Sequence, residues 1–190
     1  RKLFGRFLFT QFFSFLNNKD KISKKYFNIC NKDFLFLKKY LSKKNLNILS
    51  IGGGVGGVES MVLSFSDNIK LDLIERNFIS SKIKYFWNPE EAYNKLNLSK
   101  EFINSNTKNY NNFSICDFNN KNILKKKYDL IFSLYSMDFH YGLETYKNFL
   151  LKRSHKKTLF VFDTIRPGDL KSFFRNVKVI KQIKKRIHSS

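Results

Sequence analysis

Cysteine, proline and acidic residues are all scarce in this chain. Only two cysteines, Cys30 and Cys116, occur among 190 residues. They stand apart, without a C-x-x-C pair, which excludes a disulfide framework and offers no zinc-ligand spacing. A reducing cytoplasm is the simplest compartment for such a chain. Long apolar runs are missing as well. The most apolar stretch, Leu3 to Leu16, is rich in Phe but falls short of the roughly 20 residues of a membrane span, and it contains Arg6 and Gln11. No small-residue cleavage site follows it. It reads as an amphipathic helix that packs on the domain or on a partner, with attachment to a membrane surface as the second reading. The chain begins at Arg1 rather than Met, which points to a segment of something longer.

Acids are outnumbered 15 to 36 by Lys and Arg, for a net charge of +21 and an isoelectric point near 10.0. Such a balance ordinarily points to a polyanion such as RNA. Lys, however, outnumbers Arg about four to one, and Asn, Ile, Phe and Tyr are abundant. That is the bias of AT-rich codons, and phosphate recognition would enrich the forked guanidinium too. Compositional bias with solvated Lys faces is therefore the favoured explanation, and nucleic acid stays a second one. Hydrophobic residues at 42% and aromatics at 17% exclude a disordered chain.

Glycine is also sparse, and its distribution is informative. Of eight glycines, five fall within residues 52–57. The run Asn47-Ile48-Leu49-Ser50-Ile51 before them reads as a buried strand. Val58, Met61, Val62 and Phe65 after them have the i, i+3, i+4, i+7 spacing of an amphipathic helix. A strand, a glycine turn and a helix let a ligand lie against backbone N–H groups at the positive end of a helix, as in a nucleotide or nucleoside cradle.

The rest of the chain alternates. Asn17 to Lys25 reads as a basic linker, and Asp33 as the cap of a helix carrying Phe34, Leu37 and Tyr40. Ile69–Glu75 is a second strand and Phe78–Trp87 its helix. Asn88-Pro89-Glu90-Glu91 starts a helix and opens an Asn- and Lys-rich insertion to about Asn112. Phe113–Phe118, Tyr128–Tyr135 and Thr158–Asp163 are further strands, with a helix over Leu143–Leu151 between the last two. Asp169 caps a short helix through Phe174, and Val177–Ile183 is a last strand. The expected fold is α/β: a Rossmann-like, doubly wound, mostly parallel sheet of six to seven strands in a single domain, with helices on both faces. Residues 1–31 would be an N-terminal helix and basic linker, and residues 32–190 the ligand-binding domain. Ligands in such sheets bind beyond the carboxyl ends of the strands, near the point where strand order reverses.

The glycines alone leave the ligand open. Gly52, Gly54 and Gly57 satisfy the dinucleotide pattern G-x-G-x-x-G, while Gly52, Gly54 and Gly56 satisfy G-x-G-x-G. Glu75, about 20 residues on, can accept hydrogen bonds from two ribose hydroxyls in either case. Asp117 could accept from an adenine amino group, beside Phe118, which could stack on the ring. Together, the glycine loop, Glu75, Asp117 and the run Tyr128 to Tyr141 resemble the motifs of the class I S-adenosylmethionine-dependent methyltransferases. Phe139-His140-Tyr141 followed by Glu144-Thr145-Tyr146 is most similar to their sugar O-methyltransferase branch. The resemblance implies S-adenosylmethionine as cofactor, held by Ser50, Gly52, Gly53, Gly54, Gly56, Glu75, Asp117, Phe118 and Ser133. One departure stands out: the position two before Gly52, usually acidic in that superfamily, is Ser50.

Methyl transfer to a hydroxyl requires the acceptor oxygen to be aligned and deprotonated. His140 is the candidate general base, because imidazole titrates near neutrality, with Glu144 to orient it and Asp138 as the alternative base. Asp138 and Asp163 could bind a divalent ion, but two carboxylates are too few to expect a metal. The expected function is O-methylation of a sugar or glycan hydroxyl. The alternatives are an RNA methyltransferase, an NAD(P)-dependent oxidoreductase lacking the Tyr-x-x-x-Lys pair, or a non-catalytic subunit of the same fold.

Overall fold

A computed structural model describes residues 18–41, 45–79, 93–134, 136–137, 142–164 and 167–180. Its centre is a five-stranded parallel sheet built from β1 (Leu46–Ile51), β2 (Ile69–Glu75), β5 (Phe113–Asp117), β6 (Leu130–Ser133) and β7 (Leu159–Phe162), in the order β5-β2-β1-β6-β7. Two short strands, β3 (Phe78–Ile79) and β4 (Tyr93–Asn94), pair antiparallel beside it. The order runs outward in both directions from β1. The strand ends of β1 and β6 thus flank the switch point at which the chain changes direction across the sheet.

Burial on both faces explains why β1 is mostly apolar, with only Asn47 and Ser50 interrupting it. Ile48 joins a core with Leu71, Leu73, Phe132, Leu37 of helix α1 (Lys19–Lys38), Val62 and Leu63 of α2 (Gly57–Phe65), and Ile103 of α3 (Leu96–Asn106). Leu49 and Ile51 point the other way, to Ile74, Cys116, Ile131 and the Tyr146, Phe149 and Leu150 face of α4 (Glu144–Arg153). A last helix, α5 (Pro167–Phe173), packs Leu170 and Phe173 against that second core. Helices therefore cover both faces, and the fold is the expected Rossmann-like, doubly wound one.

Several expectations are corrected. Of the stretch read as a linker, Lys19 to Lys25 belong to α1, whose N-terminus is capped by Asn18: its Oδ1 accepts from the amides of Asp20 and Lys21 at 2.9 and 3.2 Å. Asp33 lies well inside that helix rather than at its start. Leu37 is fully buried and Cys30 nearly so, which explains how a polar, Lys-rich sequence holds a 20-residue helix: tertiary packing of one stripe outweighs weak propensity. Phe78 and Ile79 form a strand where a helix was expected; residues 80–92, with the expected helix start at Pro89, lie outside the described residues. The Asn-rich insertion contains α3, which is the crossover from β2 to β5, with Ile103 buried against α2. In α2 only Val62 of the expected stripe is buried; Glu59, Ser60 and Leu63 share the buried side. Asp169 sits in the first turn of α5, which starts at Pro167, and is not its cap. Val177–Ile180 form no strand and are largely exposed, so the described sheet has five strands rather than six or seven. Alternating Lys and apolar residues make a strand only where a sheet edge receives their backbone.

A polar network crosses the second core. Asp72, almost fully buried in mid-strand, accepts from Tyr128 Oη at 2.6 Å and from Ser114 Oγ, and pairs with Lys126 Nζ at 2.9 Å. Three partners are what make a buried carboxylate tolerable there. Tyr128→Phe removes one of them, and urea unfolding is expected to show a loss of about 1–2 kcal/mol. An unchanged midpoint would mean that Ser114 and Lys126 suffice.

Candidate functional site

The glycine turn sits at the carboxyl end of β1 and makes the backbone conformation that side chains resist. Gly52, Gly54 and Gly56 have φ of 72, 60 and 96°. Gly52 N–H donates to Ile74 C=O at 2.8 Å and Gly56 N–H to Gly53 C=O at 3.1 Å, closing the turn. Gly54 is tied from three sides. Its amide donates to Glu75 Oε2 at 2.7 Å, and its carbonyl accepts from Asn94 Nδ2 at 2.6 Å and Ser99 Oγ at 2.7 Å. Asn94 and Ser99 were not foreseen from the sequence, since an Asn and a Ser in a polar insertion carry no pattern until β4 and α3 fold them back onto the turn.

Next to the turn stand two carboxylates. Glu75 ends β2, Asp117 ends β5, and the two are register partners. Glu75 Oε1 accepts from the amide of Arg76 at 2.8 Å, and burial pushes its carboxyl upward. Asp117 accepts from Asn77 N–H and Asn119 N–H at 2.8 and 2.7 Å. Phe118 is buried in the second core, edge-on to Tyr146 at 5.3 Å between centroids, with Lys121 Nζ 3.9 Å above its ring.

Ser133 is fully buried. Its hydroxyl donates to Ile51 C=O at 2.8 Å and accepts from Met137 N–H at 3.0 Å, so it ties the ends of β1 and β6 and anchors the loop that follows. Glu144 is exposed at the start of α4, 3.6 Å from Lys147. Asp163 follows β7, its amide donating to Ser133 C=O at 3.0 Å. His140, Asp138, Phe139, Tyr141 and Arg166 lie outside the described residues. Among the described residues no group of three or more His, Cys, Asp or Glu could hold a metal ion, and no helix is long and apolar enough to cross a membrane.

Ser50 answers the departure noted above. Its Oγ donates to Glu59 Oε1 at 2.6 Å, so a carboxylate does stand beside position 50, brought there by the first turn of α2. Glu59 is fully enclosed, its Oε2 makes no hydrogen bond, and a Cβ on Gly53 would come within 2.3 Å of Oε1. From the sequence, Glu59 reads as an acid placed to suit a helix dipole. Only the fold puts it under the turn. Tyr26 of α1 accepts from Gly57 N–H at 3.1 Å.

No protein-family model and no curated protein matches this sequence. Solved structures do resemble it. One is a precorrin-6y C5,15-methyltransferase of Geobacter metallireducens, at 16% identity over 73% of this chain and 64% of that one, with a TM-score of 0.48. A second, assigned as a caffeoyl-CoA O-methyltransferase of Staphylococcus aureus, is 15% identical over 91% of this chain and 79% of that one, TM-score 0.49. A third is a coclaurine N-methyltransferase bound to N-methylheliamine and S-adenosylhomocysteine, 16% identical over 67% and 33%, TM-score 0.41. The chain spans less than two thirds of the length of the first and third of these. With TM-scores under 0.5, the likeness decides neither activity nor substrate. The chemistry rests on this chain's own residues.

Those residues fit an adenosine-bearing sulfonium. The positive-φ turn leaves space at Gly54, where nothing lies within 4 Å of a built Cβ. Two carboxylates stand at the adjacent strand ends, and an orphaned buried carboxylate oxygen lies beneath the turn.

Burial raises the Glu59 carboxyl to about 7, against the hydrogen bond from Ser50 and reinforced weakly by Glu75. A carboxyl raised in the folded state stabilises the fold at acid pH. Its contribution is full below about 4.5 and is lost as pH rises through about 7. Glu59→Gln should therefore leave stability at pH 5 nearly unchanged and raise it at pH 8, by up to roughly 3 kcal/mol. Melting curves at the two pH values check this, and a wild-type midpoint that falls no faster than the variant's would overturn it.

Proposed function

We propose that this chain is an S-adenosylmethionine-dependent methyltransferase, acting on a hydroxyl of a sugar or glycan. The observation that carries the cofactor reading is the pairing in register of Glu75 and Asp117 beside a three-fold positive-φ glycine turn at the switch point of the sheet. In this reading Glu75 accepts from ribose hydroxyls and Asp117 from an adenine amino group, while the glycine turn lets the ligand approach the backbone without a Cβ in the way. The bound cofactor supplies an electrophilic methyl group for an in-line displacement. The chain's share is to align the acceptor and take its proton. In this reading the cofactor-binding domain of residues 32–190 is completed by Tyr26 and Cys30, which reach the glycine turn from the part of α1 that precedes residue 32.

The sugar assignment rests on the run Phe139-His140-Tyr141 after β6, with His140 as general base, Asp138 as the alternative base, and Glu144 four residues on. Calorimetry with S-adenosylhomocysteine tests the cofactor: saturable binding is expected, and its absence removes the reading. His140→Ala should then lower kcat by about 100-fold or more while leaving that binding intact. Undiminished turnover would move the base elsewhere.

A further inference from the structure

A cavity of about 120 Å³ lies between α1 and the glycine turn, lined by Tyr26, Cys30, Ser50, Gly53, Glu59 and Leu134 among others. It is far smaller than the few hundred Å³ of a typical ligand pocket, so it can take only the end of a ligand. In a chain of net charge +21, no Lys or Arg lines it among the described residues. Among the described residues, the titratable groups facing Glu59 there are Tyr26, Cys30 and Asp33 from α1, with Glu75 acting from β2. All are neutral or acidic. Glu59 itself is wholly enclosed, fixed through Oε1 by Ser50, and keeps Oε2 without a hydrogen bond. A buried acceptor left unmade in this way is costly, and a cationic donor entering the cavity would relieve the cost.

We propose that Glu59, held by Ser50 beneath the glycine turn, receives the α-ammonium group at the amino-acid end of the cofactor, in place of the acid that position 50 lacks. In this assignment the carboxylate comes from the first turn of the following helix and is held beside the strand by its hydrogen bond from Ser50. This assignment rests on the methyltransferase reading. It adds a residue that the strand-turn pattern does not contain. Recognition also gains a pH dependence, because Glu59 must ionise to pair with the ammonium; affinity should rise between pH 6 and 8 as the raised carboxyl gives up its proton.

Three ligands separate the possibilities by calorimetry on the full chain: S-adenosylhomocysteine, its counterpart with hydrogen in place of the amino group, and 5′-methylthioadenosine, which lacks the amino-acid end. The wild type should bind the first about tenfold or more tighter than the second. Glu59→Gln should bring these two within about threefold of each other, remove the rise with pH, and leave 5′-methylthioadenosine unchanged. Ser50→Asp combined with Glu59→Gln should restore part of the preference, by returning a carboxylate to the strand. A preference for the ammonium that survives in Glu59→Gln overturns the assignment while the methyltransferase reading stands. Equal binding of the first two ligands by the wild type does the same without any variant, should Glu59→Gln fail to fold. No binding of any of the three sinks both.

Discussion

Glu75→Ala is expected to weaken S-adenosylhomocysteine binding by at least about a hundredfold. Two ribose hydroxyls donating to one carboxylate are charge-assisted bonds of roughly 1.5–3 kcal/mol each, and alanine removes both. The carboxylate also accepts from Gly54 N–H at 2.7 Å, so its loss loosens the turn that faces the ligand. Stability should change little. Burial raises the Glu75 carboxyl, so removing it relieves a desolvation cost that offsets the lost bond to the turn. Calorimetry against thermal melting separates the two effects. A variant that melts as the wild type does and still binds with unaltered affinity would place the ribose elsewhere.

Gly56→Ala should be strongly damaging, and for stability rather than binding. Its φ of 96° lies where an alanine is strained, and the added Cβ would fall 2.4 Å from Ile103 Cδ1 and 2.6 Å from Cγ1. Ile103 is fully buried between α2 and the sheet and has nowhere to go. Backbone strain of about 1–2 kcal/mol and overpacking of about 1–3 kcal/mol add to a loss of roughly 2–5 kcal/mol in urea unfolding. Gly54→Ala is the control, because its φ is 60° and no atom lies within 4 Å of the new methyl. It should cost only the strain, about 1–2 kcal/mol. Equal losses at the two positions would show that Ile103 yields, and that packing is not what demands glycine at 56.

Much of the fold was legible in residues 45–75. An apolar run, a glycine cluster and a second apolar run ending in an acid are local patterns, and each is written in neighbouring residues. The same holds for Asp117, Ser133 and the strand before it. Position 50 shows the limit. In the sequence, Ser50 is only a departure from the resembled motif, yet it donates to Glu59, an acid nine residues on that periodicity places on a helix and nothing in the sequence places under a turn. The edges of the molecule were harder. The Lys-rich start of α1 has no strong helical signal of its own, and it is helical because Cys30 and Leu37 find a core.

The sequence by itself determined the parallel α/β class, the glycine turn and the acids at the ends of β2 and β5, because these follow from short-range periodicity and from the backbone freedom of glycine. Only the tertiary structure decided that Asn94, Ser99, Tyr26 and Glu59 converge on that turn. Their contacts join residues 9 to 45 positions apart, through a crossover and a packed helix face. Burial then determines their chemistry: the same carboxyl that would be ionised and unremarked on a helix surface is, beneath Gly53, raised to about 7 and left with one oxygen unbonded.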